Sequence, residues 1–281
     1  MSKRRPASPP SKVSQALERA LFAFGAQRHD EAERLARYVL ASSPDNVVAA
    51  QVLGHSLLQR GRAVEAIDPL QAATRRSADP AIETLLAKVL AAAGRRDEAI
   101  DRLRETTARR PPFALAFLEL GDQLAAAGRF DEGIAVFESA LALMPTATVL
   151  QMGLGHLHLK RNDRVQARRQ FLQARLAEPQ RHDAIIALAK VAALDGDYAA
   201  AIDLYEHALG LRPHDPMTRV EIGKCQLEMG AREAGEASLR AASRSGGQVV
   251  GLAITALATA SRGRFFLRRS AAQTFMNVEV G

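Results

Sequence analysis

A chain of 281 residues with 47% hydrophobic and 25% charged residues has an ordinary soluble make-up, long enough for one or two globular domains or one extended array. Aromatic residues make up only 5% and tryptophan is absent, so the core must be built from alanine, leucine and some phenylalanine, which suits closely approaching helices. The net charge of +7 would suggest nucleic acid or an anionic membrane, but residues 1–12 carry +4 and residues 261–281 carry +3, leaving 30 basic and 30 acidic residues between them, so any such affinity belongs to the tails.

Residues 1–12, rich in proline, serine and basic side chains, are expected to be a disordered tail, because nothing apolar offsets the entropy of ordering them. The segment lacks the apolar run of a secretory signal, and a cytoplasmic location is the default expectation. From Val13 a repeated pattern begins. Gly61, Gly94, Gly128, Asn162, Gly196 and Gly230 stand 33 or 34 residues apart, and Ala32, Ala66, Ala99, Gly133, Ala167, Ala201 and Gly235 keep step with them. Prolines at Pro111, Pro145, Pro179 and Pro213 close the cycles. A fixed period of this length predicts a stacked helical array.

Each cycle holds two amphipathic stretches. The glycine supplies the left-handed turn that ends the first helix, A. Acidic residues just after it, as in Asp97-Glu98 and Asp131-Glu132, complement the positive end of the second helix, B. Proline then stops helix B. The repeats are expected at 13–46, 47–79, 80–113, 114–147, 148–181, 182–215 and 216–246. Pro69 falls inside helix B of the second, which is also one residue short, and predicts a kinked or late-starting helix there. Residues 247–262 read as a capping helix that covers the apolar end of the array; their most apolar stretch is too short to span a bilayer. Residues 263–281 form a basic aromatic tail whose Arg264-Phe265-Phe266-Leu267-Arg268-Arg269 is expected to pack back on the last repeats, with a partner or anionic lipid as the alternative.

In the fourth cycle, Phe117, Leu120, Gly121, Leu124, Gly128, Gly133, Phe137, Ala140 and Pro145 resemble the tetratricopeptide repeat pattern, as do Leu188, Ala189, Gly196, Ala201, Tyr205, Ala208 and Pro213 in the sixth. The resemblance covers roughly residues 13–245 and implies an all-α, right-handed superhelical solenoid of antiparallel helix pairs. It further implies that Gly54, Ala87, Gly121, Gly155, Ala189 and Gly223 let helices A and B approach, and that Phe137, Phe171 and Tyr205 wedge between repeats. The A helices would then line a concave groove. Its ninth position reads His55, Lys88, Asp122, His156, Lys190 and Lys224, of which five can be cationic, and neighbouring positions include Leu115, Leu118, Met152, Ile186, Met217, Val220 and Leu227. A trough of this kind suits a protein or peptide with apolar anchors and some acidic residues, although the same basic residues could merely solvate an exposed face. The asparagines of the family's carboxylate clamp and of its asparagine ladder are missing.

No phosphate-binding loop, nucleophile elbow or paired-histidine zinc motif occurs, so neither enzyme activity nor a cofactor nor a metal is expected. His156 and His158 are two apart and face different sides of a helix, which argues against shared ligation. His182 and His214 fall near repeat junctions and read as solvated, and Cys225 as a small buried hydrophobe. The reading is a non-enzymatic scaffold or adaptor that grips a partner in its groove. The second reading is a targeting or regulatory arm of a transferase-type enzyme whose catalytic domain is absent from this chain. Tail contact with nucleic acid or an anionic membrane is the third.

Overall fold

The computed structural model describes residues 12–260, 263, 271 and 274–276. Among them, helices follow one another without a strand: α1 (Lys12–Gly25), α2 (His29–Ser42), α3 (Val47–Gln59), α4 (Ile67–Arg76), α5 (Pro80–Ala92), α6 (Arg96–Ala108), α7 (Ala114–Ala126), α8 (Phe130–Leu143), α9 (Thr148–Lys160), α10 (Arg164–Ala177), α11 (His182–Leu194), α12 (Tyr198–Leu211), α13 (Pro216–Glu228), α14 (Arg232–Ser243) and α15 (Gln248–Thr259). The chain divides into two compact units, Met1–Gly153 and Leu154–Gly281. In the first, α1 packs on α2, α3 on α4, α5 on α6 and α7 on α8; in the second, α11 packs on α12 and α13 on α14. This is an all-α solenoid, as the period implies.

The turns follow from backbone chemistry. Gly94 and Gly128 take φ of 85° and 75°, which lets Arg95 N–H reach back to Leu90 O and Arg129 N–H to Leu124 O at 2.8 Å each, satisfying carbonyls that the helix end leaves open. Asn162 fills the same place with φ 60°. In the first repeat Gln27 does so with φ 57°, and Arg28 N–H still closes on Ala23 O at 2.8 Å. The B helices that follow start in two ways. The first turns of α6 and α8 hold Asp97-Glu98 and Asp131-Glu132 without a side-chain cap, whereas Asp163 and Asp197 cap α10 and α12 by accepting from Gln166 N–H and Ala200 N–H at 3.1 Å.

Pro69 delays its helix, as expected. A short 3-10 segment, Ala63–Ala66, precedes α4, so the proline falls in the first turn, where no intrahelical donor is needed.

Packing between the paired helices depends on missing side chains. A Cβ on Gly121 would overlap the Phe137 ring and one on Gly155 the Phe171 ring, while one on Gly223 would lie 2.8 Å from Leu239 Cγ. Phe137, Phe171 and Tyr205 are buried. At the C-terminal side, α15 packs on α13 and α14, and Ala253, Ala256 and Leu257 join Val220, Leu227, Leu239 and Ala242 in one core. Met276 is buried in the same cluster, and the Arg240 guanidinium lies 4.2 Å from the centre of the Phe275 ring. The N-terminal tail differs by one residue, since Lys12 already belongs to α1; residues 1–11 and 264–269 lie outside the described residues.

Candidate interaction site

The A helices present their ninth-position side chains outward, as the register requires. His55, Lys88 and Asp122 are exposed in the first unit, and His156 and Lys190 in the second, with Lys224 half-buried. The apolar neighbours separate into two sets. Leu115 and Met217 are about half exposed, and Leu118 and Ile186 are half-buried. Met152 and Val220 are 5% and 3% exposed and Leu227 is fully covered, so these three belong to the core and leave the surface to the others. Val220 and Leu227 belong to the core that α13 shares with α14 and α15, and Leu227 lies against Gly235 of α14.

In the first unit a recess of about 220 Å³ is lined by His55, Thr84, Leu85, Lys88, Phe113, Leu115, Leu118 and Glu119. In the second, two recesses adjoin. One of about 340 Å³ has His156, His182, Asp183, Ile186, Lys190, Asp215, Met217 and Glu221 around it; the other, of about 240 Å³, runs past Leu194, Tyr198, Lys224, Cys225 and Glu228 to Ala256 and Ala260 of the cap. Lys190, Tyr205 and Glu221 line both. The walls are mainly apolar with a few convergent polar groups, the usual chemistry of a recognition surface.

Electrostatics change the ladder that the sequence shows. Partial desolvation by the surrounding helices, and then the charge of Lys88, holds the His55 pKa below the ordinary 6.5; the same desolvation, and then Lys190, does so for His156. Both imidazoles are therefore neutral at pH 7. Lys88 Nζ lies 3.6 Å from Glu119 Oε2 and Lys224 Nζ 2.9 Å from Glu221 Oε2. Among the described residues, Lys190 is the one of the three groove lysines that forms no ion pair. A row of five potential cations thus reduces to one ammonium open to an incoming carboxylate.

Other groups take positions that sequence reasoning missed. His182 is not solvated: it is half-buried, its Nε2 3.8 Å from Asp215 Oδ2, because it opens α11 against the start of α13. His214 is exposed, as expected. Tyr205 fills the wedge position of Phe137 and Phe171 but brings a hydroxyl to the wall between two recesses, and burial pushes its phenol pKa well up. The departure from phenylalanine at that one position was the available signal. His158 is buried while His156 is exposed and stacks edge-on with Phe171 at 5.0 Å, so the two histidines do face apart. Cys225 is buried, its thiol pushed up to about 11 by burial. Among the described residues no helix is long and apolar enough to cross a membrane.

No curated protein matches the sequence. Among solved structures, the human IFIT1 dimer with m7Gppp-AAAA is similar over 88% of this chain and 62% of its own, at 16% identity and a TM-score of 0.66, so this chain spans less than two thirds of that protein. A tetratricopeptide repeat protein from Parabacteroides merdae matches over 86% of this chain and 98% of its own, with 15% identity and a TM-score of 0.62. The thermophilic protein TTC0263 of Thermus thermophilus matches over 64% and 98%, with 20% identity and a TM-score of 0.54. At these identities the likeness concerns the fold. Two family models described as Tetratricopeptide repeat match the sequence itself, one at residues 23–89, 124–191 and 192–252 and the other at 84–148. The period, the left-handed turns, the glycine and aromatic wedges and these matches all fall on the same residues: the chain belongs to the tetratricopeptide repeat family.

Proposed function

We propose that the protein is a non-enzymatic interaction scaffold whose A-helix face holds an extended or helical segment of a partner protein. Tetratricopeptide proteins serve generally as interaction scaffolds. The observation that carries the reading here is the set of recesses on the A helices, each with an apolar floor and a few polar groups at its rim. Apolar anchors of the partner would enter beside Leu115 and Leu118 in the first unit and beside Ile186 and Met217 in the second, and an acidic side chain would meet Lys190. His55, Lys88, His156 and Lys224 belong to the polar rim, Asp122 stands exposed outside the recesses, and Met152 and Val220 support the surface from below. The m7Gppp-AAAA held by human IFIT1 is not carried over, because 16% identity speaks only for the fold.

The test is a pull-down of partners from native cells, followed by titration of the captured partner against variants. Lys190→Ala should weaken binding by about tenfold, the order expected for one charge-assisted contact. Lys88→Ala and Lys224→Ala, whose charges are already neutralised by Glu119 and Glu221, should cost much less. Equal losses from all three, or none from Lys190→Ala, would refute the assignment. Circular dichroism checks that the helices are intact in each variant.

A further inference from the structure

Helix α10 differs from the other B helices in what it shows to solvent. Its sequence holds four arginines and no acid. Val165, Leu172 and Leu176 are 77%, 42% and 73% exposed, and no other described helix leaves as many large apolar side chains open. Together with Arg169 they recur at intervals of four, three and four residues, which places them within about 60° of one another on a single helix face. Other arginines on B helices, two of them on α10 itself, reach into the next repeat: Arg37 to Glu65 at 2.7 Å, Arg104 to Glu132 at 3.1 Å, and Arg164 and Arg168 to Asp195 at 3.1 and 2.6 Å. Among the described residues Arg169 forms no ion pair or hydrogen bond.

One period later, the same face of α12 carries Ala199, Asp203, Glu206 and Gly210, all exposed. Neither acid is paired among the described residues. Because α10 and α12 both pack on α11, the apolar stripe with its cation and the acidic stripe with its two small residues stand at the same register on the B helices of consecutive repeats in the second unit. An anionic bilayer would be repelled by Asp203 and Glu206, and a uniformly acidic partner likewise. A face carrying both signs around an apolar centre complements itself under a two-fold rotation. Leu172 and Leu176 of the two copies then meet near the axis, Arg169 of each faces the acids of the other, and Ala199 and Gly210 leave room for the approach.

We propose that this face of α10 and α12 is a self-association surface that joins two copies of the chain. It lies on the B helices, so it does not use the recesses on the A helices. A patch of two helix stripes is small beside the interfaces of permanent dimers, so the association is weak and reversible.

Sedimentation velocity on the full chain tests this between about 1 and about 200 µM, the range in which a micromolar dimer forms and dissociates. The wild-type sedimentation coefficient should rise with concentration, and the Leu172→Lys, Leu176→Lys double variant should stay monomeric with unchanged helix content. Arg169→Glu alone and the Asp203→Arg, Glu206→Arg double variant alone should each lose association, while an equimolar mixture of the two should regain it, since every contact across the two-fold is then oppositely charged. A wild-type chain that stays monomeric throughout, including one that instead sediments with anionic vesicles, overturns the proposal. So does association that survives the lysine pair, or a mixture no better than its components.

Discussion

Gln27 carries the backbone conformation that glycine carries in the later repeats, and among the described residues its side chain makes no compensating hydrogen bond. An ordinary residue with positive φ costs about 1–2 kcal/mol relative to the right-handed region, of which glycine would return part through its greater freedom when unfolded. Gln27→Gly should therefore stabilise the chain by about 0.5–1 kcal/mol, read as a higher urea midpoint with the same slope. Leu120 is the opposite case, 2% exposed in the middle of the first unit's core, and Leu120→Ala should cost about 2–5 kcal/mol by the same measurement. Titration gives a third expectation. The folded pKa values of His55 and His156 lie below the unfolded one, so the unfolded chain binds protons first as pH falls. Their contribution is fully present above 6.5 and is lost as pH drops from there through the lowered folded values; His156→Gln should reduce the loss of urea midpoint between pH 7.5 and about pH 5. Individual positions were legible in the sequence where one period set both backbone and packing, as at Asn162, Gly121 and Phe171. They were illegible where a neighbour outside the repeat decided the outcome. Val220 reads as a groove residue until the core of α13, α14 and α15 takes it in, and Lys88 and Lys224 read as free cations until Glu119 and Glu221 are placed beside them.

Among the helices, α4 is the informative exception. A proline in a helix interior costs about 3 kcal/mol, but the 3-10 segment Ala63–Ala66 shifts the start of α4 so that Pro69 sits where its missing donor is harmless. Pro69→Ala should change stability by less than about 1 kcal/mol and should add helical signal at 222 nm as α4 extends toward Val64. A gain near 3 kcal/mol would mean that the proline strains its helix after all. That a helix would start late here followed from the proline alone. The compensation by a tighter turn did not, because 3-10 geometry leaves no periodic mark in four residues.

At the scale of the molecule, a repeat array distributes stability through neighbouring helices, and damage stays near its origin. Leu257 is fully buried where α15 closes the core of the last two A and B helices. Leu257→Asp should raise amide exchange in α13 and α14 while leaving α1–α6 unchanged, a pattern that hydrogen exchange resolves helix by helix. Uniform loosening along the chain would mean that it unfolds as one cooperative body. The left-handed turns at Gly94 and Gly128 stand 34 residues apart and are built alike, with the same backward hydrogen bond and the same handedness. Removing residues 95–128 would join Gly94 to Arg129 and bring α8 to the place α6 had held, with its wedge and its small residues in step. Such a chain can shorten or lengthen by whole repeats with its packing kept, whereas one residue lost inside a helix would rotate everything beyond it by about 100°; the short second repeat avoids this by dropping its residue from the connection between α4 and α5.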